Sequence, residues 1–168
     1  METIIYGNYN PTFKMLRLIR KKSDLKKLLT PPQVQIYASN LKVPTIKLNK
    51  YLKLFNLPSN GFIPITYPFI LAMPLQLQLF NHPSIKINPL GLLHVSNYMR
   101  LYSPIPKDAE MEANCLIDST RLVKKGIEII VKTSIKVDSQ ICWECESTYL
   151  KISNKYRNEE GDKKRQFV

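Results

Sequence analysis

The chain has 168 residues, of which 44% are hydrophobic and 10% aromatic, and this composition predicts one globular domain rather than a disordered chain. No apolar run approaches the ~20 residues that a membrane-spanning helix needs, and the N-terminus lacks the charged-then-apolar order of a secretory signal. Three cysteines, an odd number, fit a reducing compartment better than a disulfide framework. Together these features predict a cytoplasmic protein.

The net charge of +12 is unevenly distributed along the chain. No Asp or Glu occurs from Leu25 through Lys107, a stretch that contains nine basic residues, and the acidic residues gather from Asp108 onward. Such a charge suits nucleic acid, an anionic membrane surface or a phosphate-bearing ligand such as coenzyme A. Nucleic acid has the weakest support, because the aromatic side chains are not interleaved with the basic ones as stacking platforms would be.

The predicted organisation has three parts, of which the first is a basic N-terminal segment, residues 1–32. Within it, residues 11–29 place apolar side chains at helical spacing with basic residues between them. Pro31 and Pro32 would end this helix. We favour a helix that packs its apolar side on the domain, and the alternative is a helix that lies on a membrane surface or on nucleic acid.

The main domain is predicted over residues 33–153. Leu41–Val43 has the pattern of a short strand and Pro44–Phe55 that of a helix. The buried side of this helix is expected to hold four apolar residues: Ile46, Leu48, Leu52 and Phe55. The next element, Tyr67–Phe80, is apolar nearly all round, which is typical of a buried helix, and Pro74 would bend it.

From Gly91 onward the pattern changes to strands. Three stretches of β character follow the segment at 91–105, with turns at 124–126 and 138–139: Glu112–Leu122, Gly126–Val137 and Gln140–Ile152. The tail, residues 154–168, is charged and predicted to be loose. The order of elements predicts an α+β fold, in which a curved antiparallel sheet wraps around the long central helix.

Four strings in this order resemble the MaoC-like acyl dehydratases, or (R)-specific enoyl-CoA hydratases, of the hot-dog superfamily. They are LPSNGFIPITYPFILAMPLQLQLF at 57–80, NPLGLLHVSNYMRLYSPI at 88–105, TRLVKKGIEIIVKT at 120–133 and ICWECESTYLKI at 141–152. The likeness is to the N-terminal, non-catalytic half of the two-hot-dog members. It implies a hot-dog fold and binding of acyl thioesters, on coenzyme A or acyl carrier protein, in fatty acid metabolism.

The resemblance stops at the catalytic pair. Hydration of an enoyl thioester needs a general base to activate water, and the family supplies it with an Asp and a His in the motif Gly-Asp-x-Asn-Pro-x-His. The matching stretch begins at Tyr51 and puts the two positions on Leu57 and Phe62, which are both apolar. Neither His82 nor His94 has a carboxylate at the same spacing before it. The sequence therefore predicts no catalytic residue of the hydratase type.

Six residues are predicted to bind substrate. Gly91 would let an acyl chain or thioester approach the main chain, and His94 and Asn97 follow it in the segment GLLHVSN. For His94 we favour a hydrogen bond within its own strand over a catalytic role. Three cationic residues are candidates for contacts with phosphate: Lys50, Lys53 and Arg100.

The sequence gives weaker support for other kinds of site, such as a metal site or a thioesterase site. Cys142 and Cys145 form a C-x-x-C pair, but on a strand their sulfurs point to opposite faces and too few partners remain for zinc. Hot-dog thioesterases use an acidic residue or a Gln on the central helix, where only Gln76 and Gln78 are available. A Gln cannot take a proton from water, so only a slow thioesterase stays open. No metal site and no cofactor are predicted.

Two classes of function remain. The first is an acyl-thioester-associated hot-dog domain without the Asp/His pair, acting as the partner of a catalytic hot-dog chain, as a homodimer or as a binding protein alone. The second is a basic module for an anionic membrane or nucleic acid, so peripheral membrane contact stays open. Because a hot-dog sheet has an exposed edge, we expect a dimer or a complex rather than a bare monomer.

Overall fold

The computed structural model describes residues 2–6, 23–31 and 33–153, with the backbone alone for 2–6. In these ranges the strands are β1 (Glu2–Tyr6), β2 (Val34–Leu41), β3 (Leu92–Leu101), β4 (Met111–Val123), β5 (Gly126–Val137) and β6 (Gln140–Ile152). The helices are α1 (Leu25–Leu28), α2 (Thr45–Leu54) and α3 (Tyr67–Asn81). Of the predicted helix at 11–29, only residues 23–29 belong to the described residues. The predicted tail, residues 154–168, lies wholly outside them.

The six strands form one sheet in the order β1-β2-β4-β5-β6-β3. All neighbours are antiparallel except β1, which runs parallel to β2. The long strands β4, β5 and β6 follow one another as the predicted meander. The turn between β4 and β5 requires a glycine, because Gly126 has a φ of +145° and a Cβ there would lie 2.1 Å from the carbonyl oxygen of Lys151.

The long apolar segment is a helix, as predicted. α3 packs on β2, β4 and β5, and the side chains of Ala72, Leu75 and Leu79 are fully buried against the sheet. Pro74 lies within this helix without ending it. An apolar helix covered by a sheet is the arrangement that removes most of its surface from water. None of the described helices is long and apolar enough to cross a membrane.

Two predictions for the first half of the domain are wrong in part. Leu48 and Leu52 of α2 are buried, but Ile46 is 74% exposed and Phe55 56% exposed. Two residues apart on a helix point in directions about 200° apart, so Ile46 and Leu48 do not share a face. Phe55 follows the last helical residue, and its ring packs on Tyr51 with 4.7 Å between centroids.

The strand before α2 is longer than predicted and begins earlier. β2 shares only Leu41 with the predicted strand at 41–43. Its buried positions include Val34, Ile36 and Ala38, and the strand pairs with β1 on one side and β4 on the other. These two neighbours stabilise a stretch whose Gln, Ser and Asn residues give it a weak β pattern by itself.

The segment between α2 and α3 is fixed to the sheet. The amide of Ile63 donates to the carbonyl of Ile105 (2.9 Å), and the amide of Lys107 donates to the carbonyl of Gly61 (3.0 Å). The indole Nε1 of the fully buried Trp143 donates to the carbonyl of Ile65 (2.8 Å). The segment therefore has a defined position relative to β6.

Candidate functional site

The two positions predicted to correspond to the family's Asp and His lie on the segment between α2 and α3. Leu57 is 37% exposed and Phe62 43% exposed. The amide of Leu57 donates to the carbonyl of Leu52 (2.9 Å), and the amide of Phe62 donates to Oδ1 of Asn60 (3.3 Å). The segment is therefore folded, and it presents apolar side chains at the two predicted positions.

His94 lies on β3, next to the core. A bulge between His94 and Ser96 changes the register of β3 against β6, so that His94 lies opposite Tyr149 and Asn97 opposite Ser147. The imidazole stacks on the Tyr149 ring and lies 5.7 Å from the ring of Phe69 on α3. Its Nε2 donates to Oδ1 of Asn97 at 2.8 Å. In the neutral ring this leaves Nδ1 as an acceptor, with an amide rather than a carboxylate to orient it.

Gly91 forms the bend that leads into β3. Its φ of +81° lies in the region that favours glycine, and a Cβ at this position would meet only Nζ of Lys151, at 3.5 Å. Lys151 itself donates from Nζ to the carbonyl of Leu90 (3.4 Å). Gly91, His94 and Asn97 are all exposed, so this end of β3 is open to a ligand.

Arg100 is not brought together with His94. The bulge shifts the strand alternation by one residue, so Arg100 lies on the opposite face of the sheet, where its register partner is Glu144 of β6. Its Nη2 donates to the hydroxyl of Tyr98 (3.0 Å), and Tyr102 donates to the Glu144 carboxylate. Hydrogen bonding to Tyr98 raises the pKa of Arg100, and the bond to Glu144 raises the pKa of Tyr102.

The remaining predicted phosphate contacts lie on another element. Lys50 and Lys53 belong to α2, and both side chains are exposed. Their exposure is compatible with binding an anion, but neither is hydrogen bonded to β3 in the part of the chain that the structure describes. The six predicted binding residues therefore occupy three places: one face of β3 at Gly91, His94 and Asn97, the other face at Arg100, and α2.

A buried polar cluster that the sequence did not predict joins α3 to the sheet. Nε2 of Gln76 donates to the hydroxyls of Thr133 (3.0 Å) and Ser147 (3.1 Å). The hydroxyl of Tyr149 donates to Oε1 of Gln76, and burial raises the pKa of Tyr149 above its ordinary value. The signal was a Gln pair, Gln76 and Gln78, on an otherwise apolar helix, together with hydroxyls at inward positions of β5 and β6. Both amide protons of Gln76 are used, so neither is free to position a water.

The cysteines are buried and free. Cys142 donates from Sγ to the carbonyl of Gln140, whereas Cys145 on the opposite face of β6 donates to Oδ1 of Asn97. Burial raises the pKa of Cys115 to about 12 and also raises that of Cys145. Among the residues the structure describes, no three His, Cys, Asp or Glu side chains are grouped so that they could hold a metal ion.

No protein-family profile matches the chain. Among curated proteins it is similar to 3-hydroxyacyl-thioester dehydratase X of Mycobacterium tuberculosis, with 21% identity over 119 residues. The matched region is 71% of this chain and 42% of that protein. The chain thus spans less than half the length of the curated relative it matches.

Two crystal structures from Mycobacterium tuberculosis show the fold. HtdX superposes with a TM-score of 0.66 at 20% identity, over 70% of this chain and 51% of its own. The C-terminally truncated HadBC (3R-hydroxyacyl-ACP dehydratase) complex superposes with a TM-score of 0.59 at 15% identity. The match covers 76% of this chain and 98% of the HadBC chain. The chain has the α+β hot-dog fold, and it resembles the hot-dog dehydratases at the level of the family.

Proposed function

We propose that this chain is the non-catalytic half of a hot-dog acyl dehydratase. In this function it binds an acyl thioester, carried on coenzyme A or acyl carrier protein, together with a second hot-dog chain that supplies the Asp and the His. Its place is fatty acid metabolism. The likeness to 3-hydroxyacyl-thioester dehydratase X supports the class of substrate, and the apolar catalytic positions support the division of roles.

The observation that carries the proposal is the pair of exposed side chains Leu57 and Phe62. The segment that carries them is hydrogen bonded to residues 105–107 and to Trp143, so its position on the fold is defined. Its two catalytic positions are apolar and face outward. An apolar segment held by hydrogen bonds suits contact with an acyl chain or with a partner, and its apolar side chains cannot activate water.

The edge of the sheet suits a partner of the same fold. Among the described strands β3 is paired with β6 alone and forms one edge of the sheet. Leu93, Val95 and Tyr98 on this edge strand are large, apolar or aromatic, and exposed. An unprotected edge of this kind is a template for pairing with another strand. The HadBC structure is a complex, and a homodimer of this chain is the alternative assembly.

Within this assembly we place the acyl thioester at the open end of β3, beside Gly91, His94 and Asn97. Lys50, Lys53 and Arg100 stay proposed phosphate contacts. Because Arg100 lies on the other face of β3, one carrier molecule that touches both His94 and Arg100 must pass around the edge of the strand. The free, buried cysteines support a cytoplasmic location, and we propose one.

The two alternatives are less well supported. The thioesterase alternative relies on Gln76 or Gln78. The amide of Gln76 is hydrogen bonded to three side chains of the core, and a Gln at either position cannot take a proton from water. The basic interaction module relies largely on residues 14–27, most of which lie outside the described residues. It stays a prediction.

Co-expression tests the proposed function. The partner is a hot-dog chain from the same genome that carries Gly-Asp-x-Asn-Pro-x-His, and the assay is hydration of crotonyl-CoA. We expect a stable complex that is active, and an isolated chain that is not. Replacing the partner's Asp should abolish activity, whereas His94→Ala in this chain should not. Activity of the isolated chain at a rate typical of enzymes would contradict the proposal, as would failure to form a complex.

A further inference from the structure

A cavity lies apart from the residues at the open end of β3, although α3, which lines it, also carries Phe69 beside His94. It has a volume of about 390 Å³ and is formed by the end of β2, the start of α2 and the first half of α3. In the sheet, β2 is separated from β3 by three strands. The cavity shares no residue with the site at Gly91, His94 and Asn97. Its size falls within the range of small-molecule sites, roughly 300–1,000 Å³.

The walls of this cavity are apolar. The aliphatic part is formed by Leu41, Pro44, Ile70, Leu71 and Pro74, and two tyrosine rings complete it: Tyr51 and Tyr67. The side chain of Ile70 on α3 is 47% exposed. The cavity is therefore accessible from solvent at this residue. A straight alkyl chain is the ligand that such walls would remove from water most completely.

The mouth of the cavity is cationic. Lys42 and Lys47 line it, and no acidic residue does. Nζ of Lys42 lies 3.5 Å from a carboxylate oxygen of Glu110, but both side chains are largely exposed, so water screens this pair. Lys47 makes no ion pair within the described residues. The first turn of α2, which begins here, has no acidic side chain and no side-chain cap, so its N–H groups add to the positive potential.

We propose that this cavity binds a medium-chain carboxylate, with the alkyl chain between α2 and α3 and the carboxylate at Lys42 and Lys47. The apolar walls alone would accept an alcohol or an alkane equally well. The two lysines, on a stretch of chain without acidic residues from Leu25 to Lys107, select the anion. This site is separate from the proposed thioester site and does not depend on it.

The test uses the full chain and decanoate labelled with ¹³C at the carboxyl carbon. Calorimetry should show one saturable site, and the carboxyl resonance should shift on binding. We expect 1-decanol, which has the same chain length without the charge, to bind about tenfold more weakly or worse. Decanoyl-CoA should not displace decanoate, because its acyl group is bound as a neutral thioester to a large carrier and has no carboxylate.

Three variants locate the ligand. Lys47→Glu should weaken decanoate binding by about tenfold or more, because an attractive charge becomes a repulsive one. Ile70→Trp should abolish binding by filling the cavity. Lys125→Glu, an equal change of charge at the exposed turn between β4 and β5, is the control and should leave binding unchanged. All three positions are exposed, so circular dichroism and unfolding midpoints should match the wild type.

Four results would overturn the proposal. These are the absence of saturable binding, equal affinity for decanol and decanoate, equal weakening by Lys47→Glu and Lys125→Glu, and displacement by decanoyl-CoA. The last result would identify the cavity as an acyl-thioester pocket. None of them bears on whether the chain assembles with a catalytic partner, which is measured separately.

Discussion

The imidazole of His94 stacks on the ring of Tyr149, with 4.7 Å between the ring centroids and 21° between the planes. Tyr149 is in turn held by the hydrogen bond from its hydroxyl to Gln76 in the core. The position of His94 is therefore set by an aromatic ring and by the amide of Asn97. Neither partner carries a negative charge that would stabilise a protonated imidazole, as a carboxylate does for a catalytic base.

The first prediction concerns the isolated chain. A positioned general base contributes about 10²–10⁴-fold to a rate, and the described part of this chain has no carboxylate–histidine pair at the site. Purified alone, the wild-type protein should show little or no hydration of crotonyl-CoA. Absorbance at the enoyl band measures this directly. A kcat above ~1 s⁻¹ would show that the assignment of the catalytic positions to Leu57 and Phe62 is wrong.

The second prediction concerns His94 itself. His94→Ala removes the stacking contact with Tyr149 and the hydrogen bond to Asn97. It removes none of the cationic side chains proposed to contact the phosphates of the ligand. Binding of an acyl-CoA should stay largely intact, and only trace turnover should disappear. Titration calorimetry of both proteins with the same acyl-CoA checks this. A large loss of affinity would instead make His94 a main ligand contact.

The third prediction concerns assembly. At micromolar concentration the wild type should sediment as a dimer or as a complex with its partner. The double variant Leu93→Lys, Val95→Lys should sediment as a monomer, because charges on an edge strand oppose pairing. Ile141→Lys makes the same kind of change at an exposed position of β6, which is not an edge strand, and should retain the assembly. A wild-type chain that is monomeric alone and with the partner would count against this prediction.

The fourth prediction compares two glutamines on α3. Gln76→Leu leaves the hydroxyls of Thr133, Ser147 and Tyr149 without their partner and should lower the free energy of unfolding by about 2 kcal/mol or more. Gln78→Leu should be neutral or stabilising, because Oε1 of Gln78 is buried without a hydrogen-bond partner in the described structure. Urea unfolding of both variants decides between them. Equal destabilisation by the two variants would contradict the special role assigned to the hydrogen bonds of Gln76.

The fifth prediction concerns alkaline pH. The pKa of Cys115 is raised from 9.0 to about 12 by burial, so the native state favours the neutral thiol. Its contribution to stability is complete below pH 9 and is lost as the pH rises toward 12, because the unfolded chain ionises first. Between pH 9 and 10 the free energy of unfolding should fall less steeply for Cys115→Ala than for the wild type. Parallel slopes would contradict this assignment.

The parts of the fold that the sequence predicted correctly are those with an unambiguous local pattern. α3 is apolar nearly all round, and the strands after Met111 are bounded by evident turns, so both were found within a residue or two. β2 was found only at its last residue, because its pairing with β1 and β4 comes from distant parts of the chain. Ile46 was misplaced because hydrophobicity alone does not say which side of a helix faces the core.

The candidate site was predictable in composition but not in arrangement. The prediction that the chain has no catalytic Asp and His rests on single residues, Leu57 and Phe62, and it stays a prediction. The separation of Arg100 from His94 depends on the bulge beside His94, which shifts the alternation of β3 by one residue. A bulge has no sequence pattern of its own here, so the face on which each side chain lies had to come from the structure.

The hydrogen bond from Trp143 to Ile65 gives the protein an internal optical reporter. Trp143 is the single tryptophan of the chain, and its indole is fully buried against the segment that carries Leu57 and Phe62. Indole emission shifts toward longer wavelengths when the ring meets water. Its emission spectrum therefore reports whether this segment is packed on the sheet. Binding of a partner or an acyl chain to the segment can thus be monitored without any added label.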